Sequence, residues 1–148
     1  MIKISLVAAV MFAAAGIFQV SADDQPPVKK NQGWNGIWYY SETGWATIEI
    51  RQNGKSFDVR YTSLDETICN FTTGFKDATK TRLAKPNDVK CVDIYIDSDG
   101  AEASKPSDEP FKFGEFELRK SDGALLEHYI TAGGEENYKT FTPEKRSQ

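Results

Sequence analysis

Residues 46–61 read ATIEIRQNGKSFDVRY, and this stretch decides the fold. Ala46, Ile48 and Ile50 alternate with Thr47, Glu49 and Arg51, the two-residue period of a strand with one buried face. Asn53-Gly54 follows, a pair that accepts the positive φ values of a tight hairpin turn. Phe57, Val59 and Tyr61 then share one face of a returning strand, with Asp58 and Arg60 on the other. A hairpin with one apolar and one charged face is therefore expected.

The same pattern recurs downstream. Thr67 to Phe75 is rich in threonine and aromatics and is expected to be a strand. Val92, Ile94 and Ile96 alternate with Cys91, Asp93, Tyr95 and Asp97. Asp97 to Pro110 is a polar loop with two prolines. Phe111 and Phe113 share one phase and Phe116 and Leu118 the other, so the phase slips at Gly114-Glu115, where a bulge or bend is expected. Turns at Lys120–Gly123 and Gly133-Gly134 frame Leu126, His128 and Ile130, and a last strand covers Asn137 to Thr142. The mature chain has no long apolar stripe of 3.6-residue period; at most a short helix fits Lys76 to Leu83. About eight strands joined by tight turns predict an all-β domain. Sequential hairpins favour an antiparallel up-and-down barrel, with a β-sandwich as the alternative.

Upstream, residues 1–22 carry Lys3, an apolar run from Leu6 to Val20 and the small residues Val20-Ser21-Ala22, the layout of a cleaved signal peptide. The run is short for a membrane anchor, which needs ~20 apolar residues. The organisation expected is a signal peptide at 1–22, an extended polar arm with Pro26-Pro27 at 23–33, the β domain at 34–142 and a tail at 143–148. Loss of Lys3 with the leader leaves 17 basic against 22 acidic side chains. That balance argues against nucleic acid or an anionic membrane surface as partner. A secreted or periplasmic location is expected. In an oxidising compartment the two cysteines, Cys69 and Cys91, are expected to form one disulfide, stabilising by about 3 kcal/mol.

Residues 33–45, GWNGIWYYSETGW, hold all three tryptophans. Gly36-Ile37-Trp38 at the entry to the first strand resembles the start of calycin-type barrels: lipocalins, avidin-like proteins and the small Inh-type bacterial metalloprotease inhibitors. The resemblance implies that Trp38 closes one barrel end while Gly36 lets the chain pass tightly beside it. It rests on those three residues, with length, leader, strand count and one disulfide. The chain departs from lipocalins in having no helix after the last strand, and Arg119 is the candidate for the arginine that packs on their tryptophan. The Ser-Gly-x-x-Tyr motif of periplasmic lysozyme inhibitors is missing, since residues 61–67, YTSLDET, lack the glycine.

No residue set carries catalysis. The single histidine, His128, stands in LLEHYI without a serine elbow or a zinc-ligand set, and reads as a packed strand residue. Asp97, Asp99 and Glu102 hint at calcium, but Gly100 stands fourth in that run and the EF-hand glycine sixth, so a polar turn is expected. No cofactor and no metal are expected. Candidate binding residues are Trp34 and Trp45, as rim aromatics, and Lys76, Lys80, Arg82 and Lys85 in a basic stretch between the cysteines that also holds Lys90. Asn70-Phe71-Thr72 is a glycosylation sequon for a eukaryotic source. These features predict a non-enzymatic binding protein, with inhibition of an extracellular or periplasmic hydrolase as one form; by the Inh resemblance the arm Asp23 to Lys30 would enter the hydrolase cleft. The alternative is a carrier of a small apolar ligand inside the barrel, lined by Phe57, Val59, Tyr61, Ile94, Phe116 and Leu118.

Overall fold

The computed structural model describes residues 31–144. The expected leader, the expected arm from Asp23 to Lys30 and the end of the tail lie outside them. The described chain is all-β: β1 Gly36–Tyr40, β2 Thr47–Asn53, β3 Ser56–Thr62, β4 Thr67–Gly74, β5 Arg82–Leu83, β6 Lys90–Ile96, β7 Glu102–Pro106, β8 Glu115–Leu118, β9 Leu125–Ile130 and β10 Glu136–Thr142. The stretch 76–81, where a short helix could have sat, is turn and coil instead.

All ten strands join one antiparallel sheet in the order β5-β8-β9-β10-β1-β2-β3-β4-β6-β7. The decisive hairpin is β2–β3, with Ile50 opposite Val59 and Asn53 opposite Ser56. Its loop is Gly54-Lys55, one residue later than the Asn53-Gly54 pair expected to turn.

The sheet is open, and this corrects the expected closed barrel of about eight strands. The reason lies on β4. Its free edge pairs with β6 over Thr67–Asn70, where Cys69 faces Cys91 and the two are disulfide-bonded. Only the end of β4 is left for β5, a strand of two residues. There a single bridge joins Phe75 to Leu83, flanked by Lys76 N–H to Arg82 O and Ala84 N–H to Gly74 O, both 2.8 Å. The sheet curls until its β5 end lies beside β4, and no continuous ladder closes it.

The curl wraps one core. Trp38, Ile48, Ile50, Phe57, Val59, Cys69, Phe71, Leu83, Phe116, Leu125 and Phe141 come from eight strands and are all nearly inaccessible. Phe71, Phe113 and Phe116 pack ring on ring at 4.9–6.4 Å. Apolar burial on this scale is the main source of stability for such a sheet.

Two glycines are demanded by geometry. At Gly36 (φ +145°) a Cβ would lie 1.9 Å from Asn31 Oδ1. The Asn31 amide sits there because it both donates to Ile37 O (2.8 Å) and accepts from Ile37 N–H (2.9 Å), extending the edge of β1. At Gly114 a Cβ would lie 1.7 Å from the carbonyl oxygen of His128. This close approach coincides with the phase slip between Phe113 and Phe116, both of which reach the core.

Candidate functional site

The two outer faces of the sheet carry different chemistry. On the face formed by β5, β8, β9 and β10, register places Arg82 opposite Glu117 and Glu115 opposite His128. Arg82 Nη1 donates to Glu115 Oε1 and Glu136 Oε1, both 3.0 Å, and Lys76 Nζ reaches Glu115 Oε2 at 2.8 Å. Lys76 foremost, with Arg82, holds the Glu115 carboxyl below its ordinary range, and Glu115 in turn raises Arg82. His128 Nε2 lies 2.7 Å from Glu117 Oε1. Its Nδ1 is 3.4 Å from Glu136 Oε1, within ion-pair range but misaligned for a hydrogen bond, so that buried nitrogen lacks a partner among the described residues. Two of the basic residues expected to greet a partner, Lys76 and Arg82, are therefore already neutralised here.

Behind this face, Glu127 points inward in phase with Leu125, although the sequence pattern drew attention to the opposite phase of Leu126 and Ile130. Its side of β9 faces Phe116, and the residue is 5% exposed. Its Oε2 accepts the N–H of Gly114 at 3.1 Å. Burial raises the Glu127 carboxyl, against the opposing pull of that hydrogen bond and of Lys139. Burial, and next the nearby Glu127, raise the Tyr61 hydroxyl. Tyr61 also stacks edge-on against Phe111 and Phe113 at 5.1 and 5.2 Å.

The face formed by β2, β3 and β4 is open. The segment 84–90 stands as a wall beside it and bounds a cleft of about 820 Å³. The floor is the polar phase of the founding hairpin: Glu49, Arg51, Asp58 and Arg60, with Asn70 and Thr72 of β4. Lys85, Asp88 and Lys90 line the wall. Arg51 is held by Glu49 (3.0 Å), and Asp58 accepts the Thr72 hydroxyl (3.1 Å). Arg60, Lys85 and Lys90 form no ion pair with a described residue. A second cleft of about 460 Å³ over β1 and β2 borders the first at Glu49 and Arg51.

The remaining candidates are dispersed. Trp34 precedes β1 and packs half-buried against Phe57 and Phe75, ring centroids 5.9 and 6.2 Å apart. Trp45 lies past the other end of β1 and is 57% exposed, so the two tryptophans form no joint platform. Trp38 is inaccessible, and its Nε1–H donates to Gly123 O (3.0 Å) in the β8–β9 turn. Arg119 pairs with Asp122 through two bonds of 2.8 and 3.0 Å and, foremost, holds that carboxyl at about 2; the cation–ring contacts found among the described residues do not involve Trp38. Lys80 is exposed on a turn away from the cleft lining. Asp97 caps its own turn, accepting from the N–H groups of Asp99 and Ala101. No cluster of three or more metal-binding side chains occurs among the described residues. Lys85 was legible as a candidate. Arg51 and Arg60 were not, though both stand on the charged face of the hairpin from which the fold was read.

Comparison with protein-family models, curated proteins and solved structures finds no match for the chain.

Proposed function

We propose that the chain is an exported, non-enzymatic binding protein that engages a protein partner through the outer face of β2, β3 and β4. The Inh resemblance suggests an extracellular or periplasmic hydrolase as the class of partner, with the curled sheet serving as a calycin-like scaffold. The observation that carries the reading is the contrast between interior and exterior. Of the six residues a carrier would use to line its cavity, Phe57, Val59 and Phe116 are 0–2% exposed in the core, Tyr61 and Leu118 pack half-buried against it, and Ile94 is half-buried on β6, whereas the 820 Å³ cleft opens to solvent. The Cys69–Cys91 bridge accords with an oxidising compartment. Side chains poised outward on a rigid sheet suit recognition, because little conformational freedom is lost on binding.

The test is cross-linking of the tagged mature protein to the secreted or periplasmic proteins of its source, with native mass spectrometry of the protein alone. A discrete cross-linked complex, and a native mass equal to the chain's own, are expected. A co-purified apolar molecule with no complex would shift the reading to a carrier.

A further inference from the structure

Basic side chains on this protein fall into two groups. Lys76, Arg82 and Arg119 are each within 3.0 Å of a carboxylate. Arg60, Lys85 and Lys90 form no ion pair with a described residue, yet Arg60 on the floor and Lys85 and Lys90 on the wall converge on one cleft. Cations that meet no carboxylate among the described residues are available to an external anion, and their convergence raises the local potential.

The shape adds a second constraint. The cleft spans the outer faces of β2, β3 and β4 as far as the 84–90 wall, and a second cleft borders it at Glu49 and Arg51, so the surface is elongated rather than a hole for a point-like ion. The floor is also of mixed sign, because Glu49 and Asp58 stand among the cations and Asp88 on the wall. A uniformly anionic polymer would run its charges over those carboxylates. A peptide with spaced acidic residues would not, and its main chain could exchange hydrogen bonds with the amides of Asn70 and Asn87.

We infer that the cleft takes an extended, acidic peptide segment of the partner, whose carboxylates meet Arg60, Lys85 and Lys90. This deepens the binding-protein reading and rests on it. Pairing of this kind governs orientation and encounter rate more than total affinity, and it weakens with salt.

The probe is a fluorescein-labelled octapeptide alternating glutamate and serine, titrated into the mature protein at low ionic strength and read by anisotropy. A lysine–serine octapeptide and a heparin oligosaccharide are the comparison arms. The glutamate peptide should bind, the lysine peptide should not, and Lys85→Glu/Lys90→Glu should weaken binding about tenfold or more. Lys80→Glu changes an equally exposed lysine outside the cleft and should leave binding unchanged; circular dichroism checks that each variant is folded. Equal binding of both peptides, equal loss in the Lys80→Glu variant, or binding of heparin in preference to the glutamate peptide would each overturn the assignment. A cross-linked complex that persists while the peptide fails removes the acidic segment and leaves the binding-protein reading standing. Peptide binding without any complex has the opposite meaning.

Discussion

Lys76 and Arg82 lie within fifteen residues of Lys85 and Lys90, in one basic stretch, yet they end on opposite sides of a structural division. The first two are drawn onto the β5/β8/β9/β10 face, where Glu115, Glu117 and Glu136 satisfy them. The last two wall the β2–β4 cleft and meet no carboxylate among the described residues. Local charge is the same in both; the register of strands far away in sequence makes the difference. Arg82 is placed by pairing with Glu117 and by the Phe75–Leu83 bridge, while Lys85 lies in the strandless stretch that follows and Lys90 opens β6 opposite Asn70. One face is a structural seam and the other an available surface.

If the first face is a seam, damage there should be costly, and the largest effect is expected at Gly114. A methyl group at this position would meet the His128 carbonyl oxygen, a backbone atom that cannot step aside as a side chain can. Gly114→Ala should lower unfolding free energy by about 3 kcal/mol, and by more if the strand cannot relax, as in other overpacked sites. Urea denaturation reads this directly. A change below about 0.5 kcal/mol, the ordinary range for surface substitutions, would mean that β8 and β9 do not approach as closely as the contact implies.

That close approach was half legible. The phase slip between Phe113 and Phe116 marked Gly114-Glu115 as a bend, because period-two patterning reports on each strand locally. What could not be read was the carboxylate behind it. Glu127 stands in an apolar run, LLEHYI, whose two phases are both partly apolar, so pattern alone did not say whether Leu125 or Leu126 faces inward. The hairpin was clear for the converse reason: Ile48, Ile50, Phe57 and Val59 leave only one possible inner face. That the sheet stays open was also hidden. It depended on β6 occupying the edge of β4, and a cysteine spacing in sequence reports neither that strand register nor which edge is used. The cleft escaped notice for a related reason, since charged outer positions of a strand look the same whether solvent or a wall such as 84–90 stands over them.

The next effect in size separates the two faces by a single kind of substitution. Arg82→Ala removes a partner from three glutamates at a site where the arginine side chain is 28% exposed, and should cost roughly 1.5–3 kcal/mol, the range for hydrogen bonds to charged groups. Arg60→Ala removes an arginine with no such partners and should stay within about 0.5 kcal/mol. Matched denaturation curves for the two variants test the division; equal losses would erase it.

The smallest effect is expected in pH dependence, and it sets outer against inner carboxylate. Glu115 is held below its ordinary value by Lys76 and Arg82, so the stability it contributes is present above about 4.5, its unfolded value, and is lost as pH falls through the folded one. Glu127 is raised by burial, so its sign is reversed. Below its unfolded value it is neutral in both states and carries no penalty. As pH rises toward and through the folded value, the unfolded chain ionises more readily and stability declines. Glu127→Gln keeps an oxygen to accept the Gly114 N–H but cannot ionise. Its unfolding free energy should therefore be flatter than the parent's from mildly acidic to neutral pH, with the acid-side decline due to Glu115 unchanged. Urea midpoints collected across that range decide the matter. Parallel curves for parent and variant would show that the inner carboxyl is solvated well enough to ionise at no cost, and that the core behind the seam is less dry than the packing of Phe116 and Leu125 implies.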